Sequence, residues 1–174
     1  VADFINNYKS NEKISLMIDF IQGTLKPKLR VNELLNYIKE IDIKTFRSVN
    51  NIYAYNKNFQ QNKPTLLLNS HHDTVEPNDG YTNDPYDPIT KDGKIYGLGS
   101  NDAGISLVCL IMVFIHFYER EDLNFNIIIL ASAEEERSGE NGIKSVIPLL
   151  PKIDLAIIGE PTKMDVAIAE KGLI

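Results

Sequence analysis

Four short polar clusters in this chain carry residues able to do chemistry: NSHHDTVEP (69–77), YGLGSNDAG (96–104), SAEEERSG (132–139) and IIGEPT (157–162). Together they offer His71, Asp73, Asp102, Glu135, Glu136 and Glu160, which are imidazole and carboxylate groups with no thiolate. Singly, each has a plain reading. An Asp that opens a helix is an N-cap, Gly-Glu-Pro is a turn, and three glutamates after an apolar run are a solvated helix start. Brought to one place, five carboxylates would repel one another strongly, and that repulsion requires a compensating cation. Histidine with carboxylates suits zinc, with cobalt or manganese as substitutes, and is too rich in nitrogen for magnesium. More carboxylates than one ion can hold argue for two ions, about 3.5–4 Å apart in two-metal hydrolases, with one carboxylate bridging them.

The elements around the clusters decide whether they can meet. TLLLNSH (65–71), FNIIILASA (125–133) and DLAIIGE (154–160) are apolar runs of strand length, and NIYAYN (51–56) is a shorter strand. Helical spacing marks 12–21 and 31–42, joined by QGTLKPKLR with its Gly and Pro breakers, and further helices are expected over 102–120 and near 141–150. Residues 76–94 form a long loop rich in Pro, Gly, Asn and Asp, ending in an Asp92-Gly93 turn that leads into KIYGLG. Strands alternating with helices imply an α/β fold, a three-layer sandwich with a mostly parallel central sheet. Each cluster is then expected just after a strand's last apolar residue, at the carboxyl edge where open α/β sheets bind ligands.

Composition narrows the function classes. The 174 residues carry a net charge of −6 and a pI near 5.1, and Lys and Arg are scattered, so no nucleic-acid partner is expected. The single cysteine, Cys109, cannot form an internal disulfide and suits a reducing, cytoplasmic location. The most apolar stretch, 104–118, has 15 residues against the roughly 20 that cross a bilayer, so it reads as a buried core helix and no membrane partner is expected. The chain opens on Val1 with no basic, cleavable leader. No repeat, dinucleotide fingerprint, phosphate loop or nucleophile elbow is present.

In order and wording the four clusters resemble the zinc metallopeptidase family that contains acetylornithine deacetylase, succinyl-diaminopimelate desuccinylase, carboxypeptidase G and aminoacylase. The resemblance runs from about Thr65 to Ile174. It implies two zinc ions. His71 and Glu160 would hold one, Glu136 the other, and Asp102 would bridge them. Asp73 would orient His71, Glu135 would be the general base and Glu134 a supporting acid, while His72 would point to the opposite side of its strand. A non-proline cis peptide between Asp102 and Ala103 is also implied, with Gly99 and Gly104 supplying backbone freedom. YGLGSNDAG and GEPTKMDVAIAEKG are most similar to the acetylornithine deacetylase branch of arginine biosynthesis. The implied substrate is thus a small N-acetyl or N-succinyl amino acid such as ornithine or citrulline. The desuccinylase, a dipeptidase and an inactive metal-binding scaffold are the alternatives.

One ligand is unaccounted for. The histidines are His71, His72 and His116, whereas the Glu136 zinc needs an imidazole of its own. His116, fourteen residues on from Asp102, would lie about 21 Å along a helix and reads as a core residue. The resemblance supplies the missing histidine late in the chain, after an inserted lid or dimerisation domain that would make the full-length protein a homodimer. Residues 1–170 are then the N-terminal portion of the zinc catalytic domain, and 171–174 the start of the lid. Such a portion would not turn over substrate alone, but could hold one ion through His71, Asp102 and Glu160. FIQGTLKPKLRVNE (20–33) lacks the Pro-Ser-acid element usual in that family, so residues 1–45 fit it less well.

Overall fold

The computed structural model describes residues 42–163 and 165–167. The helices expected over 12–21 and 31–42 lie outside them, apart from Asp42 in a turn, as does the proposed lid start at 171–174. Five strands form one sheet in the order β1-β2-β6-β3-β7: β1 (Thr45–Ser48), β2 (Asn51–Tyr55), β3 (Thr65–His71), β6 (Asn126–Ser132) and β7 (Leu155–Ile158). Strands β4 (Ile89–Lys91) and β5 (Lys94–Tyr96) form a separate hairpin. Its turn is the expected Asp92-Gly93 pair, both at positive φ (52° and 73°), as a two-residue hairpin of this hand requires.

β3 lies parallel to β6 on one side and to β7 on the other, with His71 beside Ser132 and Asn69 beside Ile158. β2 adds to β6 antiparallel, and β1 to β2 likewise through a two-residue turn. The sheet is therefore mixed: the site-bearing strands β6, β3 and β7 are parallel, and the β1–β2 hairpin extends it through antiparallel pairings. β1 escapes the sequence pattern because TFRS is too short to alternate.

Both faces of β6 are buried, which explains its unbroken apolar run. Ile127, Ile129 and Ala131 pack with Leu68, Ile52 and the helix α1 (Ile105–Phe117). Ile128 and Leu130 face the other way, against Tyr53, Leu67 and Val146 of the short helix α2 (Ile143–Val146). α2 is shorter than the helix expected over 141–150, and continues as a tight 3₁₀ turn, Ile147–Leu149. Pro148 has no N–H for the next i→i−4 bond, so the α-helix stops there.

α1 is not the buried helix its composition suggests. Leu107, Ile111 and Phe114 enter the core, while Ile105, Cys109 and Val113 are exposed. His116 is exposed too, with its ring edge-on to Phe117 at 4.8 Å, which corrects the reading of it as a core histidine. It stands nine residues on from Leu107, about 180° round the helix axis at 3.6 residues per turn. Ser100–Phe117 equals a membrane span in length and hydropathy, but its first five residues form an irregular turn in which Asp102 and Ala103 leave helical φ/ψ.

The connection after β3 contains α1, on one face, and the connection after β6 contains α2, on the other. Adjacent parallel strands whose connections leave to opposite faces open a crevice at their carboxyl ends. The polar clusters lie there.

Candidate metal centre

His71 ends β3 with its ring 1% exposed. Its Nδ1 lies 3.0 Å from the Asp73 carbonyl oxygen. A carbonyl only accepts, so Nδ1 carries the hydrogen and donates, which turns Nε2 toward the crevice. There Nε2 meets Asp102 Oδ1 at 3.0 Å, and Glu135 Oε2 and Glu160 Oε2 at 3.8 Å each. Ligand atoms of His71, Asp102 and Glu136 all lie within 4.8 Å of one another. The structure thus brings together His71, Asp102, Glu135, Glu136 and Glu160, drawn from four separate segments.

Each segment is held by its own backbone chemistry. Gly99 sits at φ 72°, and a Cβ on Gly104 would stand 2.5 Å from the Gly99 carbonyl oxygen, which accepts the Gly104 N–H at 2.9 Å. These two glycines let the turn close tightly enough to present Asp102 over β3. The Asp102–Ala103 peptide is cis, as the resemblance implies. Asp73 lies farther from the imidazole than expected: its carboxylate is 3.6 Å from Nδ1, and its carbonyl makes the shorter contact. The carboxylate instead accepts the backbone N–H groups of Glu135 (3.2 Å) and Glu136 (3.3 Å). It ties the end of β3 to the acidic loop. His72 points away and donates to the Asn50 carbonyl at 2.9 Å.

Other anchors escaped the sequence reading. The Asn69 amide donates to Leu130 O and Ser132 Oγ, both at 3.0 Å. Ser70 Oγ donates to Gly159 O, and Gly159 N–H to Asn69 O, both at 2.8 Å. The second pair fixes Glu160 beside β3. Polar Asn-Ser closing an otherwise apolar strand is the signal that could have exposed them. Glu134, at positive φ (58°), turns back from the centre and pairs with Arg137.

The electrostatics match a cation site. Burial alone would lower the His71 imidazole, but Asp73, Glu160 and Asp102 outweigh it and push the ring up to about 9. Burial, then the charges of Asp102 and Glu135, hold Glu136 above the usual carboxylate range. For Asp73 burial acts upward, but His71 and the two loop N–H groups win and keep it low. A proton on Nε2 therefore answers the carboxylates, and a divalent ion would answer them with more charge. One imidazole nitrogen and several carboxylate oxygens are the donor set of zinc-type hydrolases, so the residues present fit such a group. A cavity of about 800 Å³ opens beside them, with Asn69, Ser132, Gly139, Lys144 and Thr162 in its wall.

Comparison with known proteins agrees. The model of peptidase family M20/M25/M40 matches residues 67–171. A probable succinyl-diaminopimelate desuccinylase of Staphylococcus aureus is 31% identical over 97% of this chain and 44% of its own length. Among solved structures, the M20 family metallo-carboxypeptidase Sso-CP2 of Sulfolobus solfataricus superposes with TM-score 0.63 at 22% identity, covering 86% of this chain and 37% of that one. Human carnosine dipeptidase 1 gives 0.60 at 17% identity, covering 91% and 40%. These two likenesses describe the shared fold. The chain spans less than half the length of the relatives it matches. With the family model covering most of the chain and every cluster on one sheet edge, this chain belongs to peptidase family M20/M25/M40.

Proposed function

We propose that the full-length protein carrying this chain is a metal-dependent amide hydrolase that removes an acyl group from an N-acylated amino acid. The convergence of His71, Asp102, Glu135, Glu136 and Glu160 on the β3/β6 edge is the observation that carries this reading. His71 and Glu160 would hold one zinc, Glu136 a second, and Asp102 both, with a late histidine beyond this chain completing the Glu136 ion. Two such ions, when bound, supply Lewis-acid polarisation of an amide carbonyl and acidify water. Glu135 is half exposed toward the crevice. It takes a proton from the attacking water and returns it to the leaving amine, as a general base and then a general acid. Asp73 positions two partners at once, His71 through its carbonyl and the Glu135–Glu136 backbone through its carboxylate.

Two acyl substrates have support. The wording of the motifs favours an N-acetyl or N-succinyl group on ornithine or citrulline, in arginine biosynthesis. Identity of 31% to a probable succinyl-diaminopimelate desuccinylase favours the succinyl group on diaminopimelate at least as strongly. The full-length protein should be assayed with N-succinyl-diaminopimelate, N-acetylornithine, N-acetylcitrulline and a dipeptide, each with Zn²⁺ or Co²⁺ and after chelation. Chelator-sensitive release of an acyl group supports the reading. Hydrolysis of the dipeptide alone moves the protein to peptidase chemistry, and metal uptake with no turnover of any substrate makes it a binding scaffold.

A further inference from the structure

The loop from Ala133 to Gly142 carries Glu135 and Glu136, and it belongs to neither a strand nor a helix. Short internal bonds shape it: Ser138 N–H to Glu135 O and Gly139 N–H to Glu134 O, both at 2.9 Å. Its two ends approach closely, since a Cβ on Gly142 would stand 2.7 Å from the Ala133 carbonyl oxygen. The buried Asn51 joins those ends to the sheet. Its Oδ1 accepts the Ala133 N–H at 2.9 Å. Its Nδ2 donates to Asn141 O at 2.6 Å, Ser48 O at 3.0 Å and Ser145 Oγ at 3.3 Å. The side chain is 0% exposed and opens β2, a position where asparagine is ordinarily disfavoured. An apolar residue there would leave the buried Ala133 N–H without its acceptor and take from the Asn141 carbonyl its shortest bond, leaving it Ser145 Oγ at 3.2 Å.

We propose that Asn51 is a positioning residue for the metal centre: by bridging Ala133 to Asn141 its amide sets where Glu135 and Glu136 stand relative to His71 and Asp102. The inference rests on the metal-hydrolase reading for its consequence and on the loop geometry for its cause. Asn51 touches none of the reacting groups. It lies outside residues 67–171, where the family model matches, and its influence reaches Glu135 two residues beyond the Ala133 bond.

The molecule contains its own control. Asn126 begins β6 at the opposite edge of the sheet and is equally buried, at 1% exposed. Its Oδ1 accepts the Gln60 N–H at 2.9 Å, and its Nδ2 donates to Gln60 O at 2.8 Å, Lys63 O at 3.1 Å and Thr65 Oγ1 at 3.3 Å. Asn51→Ala and Asn126→Ala therefore delete matched sets of buried hydrogen bonds, and only the first set reaches the acidic loop.

Both variants should be made in the full-length protein. Thermal midpoints, calorimetric titration of the metal-stripped protein with Co²⁺, hydrogen exchange of the 133–142 backbone and steady-state kinetics on the turned-over substrate are then compared. Both substitutions are expected to lower the midpoint comparably. Asn51→Ala alone should weaken Co²⁺ binding about 10- to 100-fold, the range for residues that orient ligands, speed exchange across 133–142, and lower kcat with KM little changed. The proposal is overturned if Asn51→Ala matches Asn126→Ala in Co²⁺ affinity and in exchange across the loop. Should the wild-type protein take up no Co²⁺, the metal reading fails, and the exchange comparison alone decides whether Asn51 sets the loop. If Asn51→Ala does not accumulate folded, Asn51→Asp takes its place under the same criteria, keeping the acceptor for Ala133 and losing the donor to Asn141.

Discussion

The two ends of the parallel strands β3 and β6 use similar side chains for opposite purposes. At the amino end, carboxylates and amides face the backbone: Asp154 accepts the Thr65 N–H, Asn56 the Ile127 N–H and Asn126 the Gln60 N–H, each at 2.9 Å. Polar groups there are closed within the protein and stabilise the fold. At the carboxyl end, Asp102, Glu135, Glu136 and Glu160 face one another across a single imidazole. Their mutual repulsion opposes folding, and such local conflict is tolerated where a site needs it. A carboxylate aimed at an amide N–H is finished chemistry. A carboxylate aimed at another carboxylate is an open valence for a cation.

That contrast can be broken or sharpened by measurement. Glu135→Gln keeps the shape of the carboxyl end and removes the proton carrier proposed above, so kcat of the full-length protein should fall about 100- to 10,000-fold, with metal content unchanged by elemental analysis. Activity near wild type would remove Glu135 from its role. Asp73→Asn presents an amide NH₂ to the loop, so one of the two N–H groups that now finds an acceptor there would face a donor. Co²⁺ affinity should drop about 10- to 100-fold by titration, and unchanged affinity would show that the loop needs no anchor at Asp73.

The pH response separates the two ends further. In the metal-free protein His71 is pushed up to about 9 from an ordinary 6.5, so its protonation stabilises the fold. That contribution is fully present below about 6.5 and is lost as pH rises through about 9. A metal held by His71, as proposed, would compete for the same nitrogen, so apparent Co²⁺ affinity should rise about tenfold per pH unit across that window and level off above it. Thermal melts with and without Co²⁺ at pH 6 and 9.5 check both halves, and a pH-independent affinity would mean that His71 is not a ligand. The smallest effect on the site belongs to the other end. Asn56→Ala should cost about 1–3 kcal/mol of stability, by leaving the buried Ile127 N–H without its acceptor, and leave Co²⁺ affinity at the wild-type value.

Much of this arrangement was legible in the sequence because apolar runs and their polar endings are local signals. β3 coincides with the run at 65–71, and β6 and β7 each fall within a residue or two of theirs. The Asp92-Gly93 turn and the cis bond after Asp102 also stand where they were expected. What could not be read depends on distance in sequence. Asn51 meets Asn141 across 90 residues, and no periodicity marks such a pair. His116 failed for a different reason: the helix is apolar nearly all round, so composition hid which side packs on the sheet.

β7 carries a practical consequence. Among the described residues it lies at the sheet margin with β3 as its partner, and all four of its side chains, Leu-Ala-Ile-Ile, are exposed. The opposite margin, β1, is equally short but bears Arg47, a charge of the kind that discourages another chain from adding to an edge. β7 has no such guard. Within the described residues β7 is therefore a template for intermolecular strand pairing, and a chain in which nothing else covers that edge should have a solubility that depends on concentration.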